Sequence, residues 1–176
     1  MTDKINWMQN VEVICSNNSK VGSRLISWAT KRRKESLSVK EIPSHVSLLF
    51  FGKVVIESTL FKGVGLRNFF KYEKSDNILS RELVPVENAS ELLEKMLKNN
   101  RNTMYDWVGA VYLGIKRISY RAFGIEFKKE NNWQKENKDF CVELLESIEK
   151  YKDRNLSDVS PLEIHLEIIG EKYVIS

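Results

Sequence analysis

The stretch Ser44-His45-Val46-Ser47-Leu48-Leu49-Phe50-Phe51-Gly52-Lys53-Val54-Val55-Ile56-Glu57-Ser58-Thr59-Leu60 constrains the fold more than any other part of the chain. It follows Pro43 and reads as a β-hairpin turning near Gly52. Loop length decides which residues share a face, because side chains alternate along a strand. A two-residue loop, Gly52-Lys53, pairs Phe51 with Val54 and sends His45 and Glu57 to different faces. A three-residue loop, Phe51-Gly52-Lys53, pairs Phe50 with Val54. Val46, Leu48, Phe50, Val54, Ile56 and Leu60 then line one face, and His45, Ser47, Val55, Glu57 and Thr59 the other. The second register separates apolar from polar side chains better and is adopted. It sets Glu57 opposite Ser47 and diagonal to His45, where a carboxylate can orient an imidazole and stabilise its protonated form. A His–Glu pair of this kind also occurs as an ordinary surface cross-strand contact.

Around the hairpin, residues 11–16 alternate weakly as a first strand that carries Cys15. Val21, Leu25, Trp28 and Ala29 predict the apolar face of a helix that Ser19 would cap, ending in Lys31-Arg32-Arg33-Lys34. Phe61 to Gly65 reads as a turn, and Leu66 to Tyr72 has no clear type. Arg81 to Val86 predicts a strand. Asn88 or Ser90 starts a helix that buries Leu92, Leu93, Met96 and Leu97. Tyr105 to Ile115 carries Trp107, Val108, Val111 and Tyr112 at helical spacing, and Lys128 to Lys138 reads as an exposed polar loop. Ile164 to Ile168 alternates, which predicts a strand with His165 and Glu167 on one side.

Between these lies Asp139-Phe140-Cys141-Val142-Glu143-Leu144-Leu145. Phe140, Leu144, Ile148 and Tyr151 repeat at helical spacing, with Cys141 and Leu145 broadening the stripe. With Asn137 or Asp139 as cap, Cys141 falls in the first turn of an amphipathic α-helix, where free N–H groups and the helix dipole stabilise a thiolate. The nearby carboxylates of Asp139 and Glu143 act the other way. A cysteine there is either a small core residue or a nucleophile, and only a partner base elsewhere separates the two. Cys15, at mid-strand, lacks the dipole. His165 follows Cys141 but has no polar third residue on a later strand.

Composition narrows the function classes. At 176 residues one domain, 1–176, is expected, long enough to bury a core without metal or disulfides. Two cysteines make no disulfide framework, and two histidines with them make no zinc-type cluster. P-loop and GxGxxG fingerprints are absent from the sequence. Neither a signal-peptide pattern nor a run of about 20 apolar residues occurs, so a reducing cytoplasm is the expected compartment. The net charge of +4 rests partly on Lys31 to Lys34, which reads as a solvated helix end rather than a nucleic-acid surface.

A strand-borne histidine, a polar residue on the next strand and a helix-borne cysteine form a papain-like set, here in the order His45, Glu57, Cys141. That order resembles the circularly permuted NlpC-type papain-like superfamily, which includes YiiX-like bacterial proteins, relatives of lecithin retinol acyltransferase, and poxvirus and phage members. The resemblance is carried by Ser44-His45-Val46, by Val55-Ile56-Glu57-Ser58 with Gly63-Val64, and by Phe140-Cys141-Val142-Glu143-Leu144, with Tyr105-Asp106 similar to a Tyr-Asp pair of several members. It covers roughly residues 10–150 in ordered pieces. It departs at Val142, where many bacterial members have serine, and after residue 150. The resemblance implies an α+β permuted papain-like fold, a small antiparallel sheet packed against the cysteine helix. It implies Cys141 as nucleophile, His45 as general base, Glu57 as orienting residue and Tyr105 lining the site. It also implies a cofactor-free hydrolase or acyltransferase acting on an amide or ester, with a peptide, a peptidoglycan fragment or a lipid-like acyl group as substrate. The expectation to set against it is a catalytically inactive scaffold that serves as an interaction protein.

Overall fold

The computed structural model describes residues 10–18, 21–31, 37–59, 63–99, 104–105, 114–119, 123, 138–139, 141–156 and 159–170. It is an α+β structure. Strands β1 (Asn10–Asn17), β2 (His45–Phe50), β3 (Val54–Thr59), β4 (Gly63–Asn68) and β5 (Asn77–Pro85) form an antiparallel sheet in the order β4-β3-β2-β1-β5. The hairpin takes the three-residue loop: Phe50 pairs with Val54 and Ser47 with Glu57. Phe51 and Gly52 both turn through positive φ, 56° and 65°, which closes the loop.

Alternation divides the sheet into two faces. Val11, Val13, Cys15, Val46, Leu48, Phe50 and Ile56 join a cluster with Met96 of the helix Ala89–Asn99 and with Cys141, Val142, Leu144, Leu145, Ile148 and Tyr151. Ile14, Leu49 and Val55 pack on the other face against Tyr72. The helices are numbered α1 (Val21–Thr30), α2 (Phe69–Ser75), α3 (Ala89–Asn99) and α4 (Pro161–Ile168).

 The helix that brings Met96 to the first cluster is therefore α3. Asn88 Oδ1 accepts from the N–H groups of Ser90 and Glu91 and so caps α3; of the two starts the sequence offers, Asn88 and Ser90, the structure takes Asn88.

Four expectations are corrected. The Gly63–Gly65 stretch is not a turn: it opens β4, which pairs with β3 from Thr59↔Gly63 to Val54↔Asn68. Helix α1 does not bury Leu25 and Trp28, which are 60% and 41% exposed; it buries Ser27 and Ala29. The reason is tertiary, since Ser27 Oγ donates to the Ile42 carbonyl and ties the helix to the segment that leads into β2. The His165 segment is helix α4, not a strand. Pro161 sits at its start, and the Ser160 N–H donates to Glu163 Oε2 at 2.5 Å, a capping arrangement that outweighs the short alternation.

The fourth correction concerns the cysteine. Cys141 and Val142 form a turn, followed by 3-10 helices at Glu143–Ser147 and Glu149–Tyr151 rather than an α-helix. The N–H groups of Leu145, Ile148 and Tyr151 donate to the carbonyls of Val142, Leu145 and Ile148. These same residues are fully buried or nearly so. A three-residue apolar period, 142-145-148-151, matches a 3-10 turn and competes with the 3.6-residue period that predicts an α-helix. Ser19, Arg32 to Lys34, Leu60, Trp107, Val108, Val111, Tyr112 and Phe140 lie outside the described residues.

Candidate functional site

His45 is the first residue of β2, and its position is fixed from several sides. It pairs across the sheet with Ser16 of β1, next to a register shift in the β1–β5 ladder. The preceding Ser44 N–H donates to the Ser16 carbonyl at 3.0 Å, and Ser44 Oγ donates to Asn17 Oδ1 at 3.3 Å. Asn17 Nδ2 in turn donates to the carbonyls of Val39 and Ile42. This buried polar set spends its hydrogen bonds on holding the entry to β2.

From that position the imidazole meets Glu57 of β3. Nε2 donates to Glu57 Oε2 at 3.1 Å, with side-chain exposures of 15% and 12%. The diagonal contact is the one that the hairpin register predicts. The other partner of the ring is Cys141, whose side chain also hydrogen-bonds it. With Nε2 turned to Glu57, Nδ1 is the nitrogen left for the sulfur. Cys141 packs with Val46 and Cys15 in the cluster on the opposite face, and its turn reaches His45 at the start of β2.

Burial would by itself lower the His45 pKa. The hydrogen bonds to Cys141 and Glu57, and their charges, outweigh it and push the imidazole up to about 10. Burial would likewise raise the Glu57 carboxyl. Its hydrogen bond to His45, then the charges of His45 and Arg67, hold it below the usual carboxylate range. Both shifts describe an imidazolium facing a carboxylate on one side and a sulfur on the other.

The structure therefore brings His45, Glu57 and Cys141 together. Tyr105 pairs with Asp139 in a two-stranded parallel ladder of Met104–Tyr105 and Lys138–Asp139, which sets its backbone beside the segment entering Cys141. Its side chain lies outside the described residues. The alternative imidazole, His165, is buried and its Nδ1 meets Ser80 Oγ at 2.8 Å. Ser80 also hydrogen-bonds Cys15, whose thiol burial pushes up to about 12. Among the described residues no group of three or more His, Cys, Asp or Glu side chains has a geometry that could hold a metal ion. No described helix is long and apolar enough to cross a membrane.

Sequence reasoning misses Arg67 and Asp76. Arg67 NH1 donates to Glu57 Oε1 at 3.4 Å and to Asp76 Oδ2 at 3.1 Å. Its signal is a cation between Leu66 and the Asn68-Phe69-Phe70 stretch, but without β4 it has no place in the sheet. The α-helical first turn expected at Cys141 is replaced by a turn leading into the 3-10 helix Glu143–Ser147. The chain matches no family model, and no curated protein or solved structure matches it.

Proposed function

We propose that this chain is a cysteine-dependent hydrolase or acyl-transfer enzyme, with a permuted papain-like arrangement, acting on an amide or ester. The observation that carries the reading is the chain of contacts Cys141–His45–Glu57. With its Nε2–H held by Glu57, the imidazolium already carries on Nδ1 the proton given up by the Cys141 thiol. The thiolate then attacks the substrate carbonyl carbon and forms a C–S bond. The proton taken by Nδ1 passes to the leaving amine or alcohol as the C–N or C–O bond breaks. Water, or a second acceptor, attacks the thioester; its proton goes to His45, and the C–S bond breaks to release the thiolate. Tyr105 would line the site, since its backbone stands beside the cysteine segment. Peptides, peptidoglycan stem peptides and lipid acyl groups all satisfy this chemistry, and no cofactor enters it.

The burial of Cys141, only 5% exposed, favours a second reading, a scaffold that binds a partner without chemistry. Alkylation of the native protein with iodoacetamide separates the two. The enzyme reading expects Cys141 to label in the folded wild type at neutral pH, the signal to vanish in Cys141→Ala, and His45→Ala to slow labelling at least about tenfold. Labelling of Cys141 only on unfolding overturns it in favour of the scaffold.

A further inference from the structure

Glu57 has two carboxylate oxygens and spends them on different partners. Oε2 takes the His45 Nε2–H, and Oε1 takes Arg67 NH1. Arg67 is itself held more tightly than a surface cation. It pairs with Asp76, which is buried, and NH2 donates to Ser75 Oγ. Its guanidinium lies over the Tyr72 ring, 5.2 Å from the centroid. Ser75 Oγ also donates to Asp76 Oδ2. The Tyr72 hydroxyl accepts from Ser47 Oγ at 3.0 Å and lies 2.6 Å from Ser16 Oγ, so the ring is tied to β2, which carries His45, and to β1 beside it.

Register explains how Arg67 reaches the carboxylate. Arg67 pairs with Val55 and Gly65 with Glu57, so Arg67 shares the face of Glu57 and lies diagonal to it. Gly65 lies directly opposite Glu57 and carries no side chain of its own to compete for the carboxylate. A carboxylate on a flexible stem rotates freely unless both oxygens are engaged, and the planar fork of arginine supplies directed donors that an ammonium does not.

We propose that Arg67 is a positioning residue for Glu57: anchored by Asp76, Ser75 and the Tyr72 ring, it turns the carboxylate so that Oε2 faces His45. The chemical purpose of this rests on the Cys141–His45–Glu57 reading, but the positioning itself does not. The charged and titratable groups that act on the imidazole are Cys141 and Glu57; Arg67 and Asp76 act on Glu57, and the Tyr72 phenol senses Asp76 and Glu57. Two roles for Arg67 then predict opposite signs. A bystander cation repels the imidazolium, so its removal raises the His45 pKa. A positioning residue keeps the carboxylate in place, so its loss lowers it.

The test is an NMR titration of His45, whose imidazole signal is identified by its loss in His45→Gln. Arg67→Gln is expected to lower the His45 pKa by about one unit, a tenfold loss of proton affinity. Arg67→Lys, which keeps the charge and loses the fork, is expected to fall between the two. In a Glu57→Gln background Arg67→Gln is expected to add no further shift, because the effect passes through the carboxylate. A rise, no change, or the same fall without Glu57 overturns the proposal. If Arg67→Gln does not fold, Arg67→Lys decides alone: a wild-type titration overturns it. Failure of Cys141 to label in the native protein would sink the nucleophile reading and leave this titration result standing.

Discussion

At the scale of single residues, the site is a competition between burial and pairing. His45 shows which wins. Its pKa is raised from 6.5 to about 10 although burial works against the charged form, because Cys141 and Glu57 both favour the imidazolium. A group whose folded pKa is raised contributes stability that is complete below its unfolded pKa and is lost as pH rises through the folded value. Glu57, with a lowered pKa, contributes above its unfolded value of 4.5 and loses that contribution in acid. The pair is therefore expected to stabilise the fold most between about pH 4.5 and 6.5, fading toward pH 10. Thermal unfolding of wild type and His45→Gln should diverge most in that window and converge above about pH 10; parallel curves across the range would contradict the pairing. The Cys15 thiol is the opposite case. It is buried and pushed up to about 12, so it should stay unlabelled by iodoacetamide until global unfolding, as mass spectrometry of the partly labelled protein would reveal.

At the scale of elements, periodicity is reliable where one period is present and misleading where two compete. The hairpin register follows from apolar and polar sorting together with the Gly52 turn, although Leu49 and Val55 are buried on the second face as well. Residues 140–151 carry both a helical and a three-residue period. Packing of Val142, Leu145, Ile148 and Tyr151 against the sheet selects the second. That choice costs Cys141 the α-helix dipole and leaves His45 as its activating partner. Leu145 is fully buried at the centre of this segment, so Leu145→Ala is expected to destabilise the protein by about 3 kcal/mol in denaturant titration. A loss below about 1 kcal/mol would mean that the segment does not depend on that packing. Helix α4 teaches a related lesson: Ser160, Pro161 and Glu163 give a start signal stronger than the alternation that suggests a strand.

At the scale of the whole molecule, the sheet brings together residues far apart in sequence. His45 and Glu57 meet because one hairpin joins them, so the sequence by itself determines that pair through its alternation and its Gly52 turn. It also determines the apolar face of α3 and the apolar residues that β2 and β3 turn to the first cluster. Tertiary structure alone decides three things. It decides that the Cys141 thiol meets His45, because the long connection between β3 and Cys141 encodes no direction. It decides that Arg67 stands behind Glu57, because strand β4 pairs through backbone groups that every sequence carries. It decides that α1 turns Leu25 and Trp28 outward, because the Ser27 hydrogen bond to Ile42 fixes a rotation that the helical period leaves open. Local patterns report which face of an element is apolar; which other element covers that face depends on contacts between distant segments, and those are settled only when the chain packs.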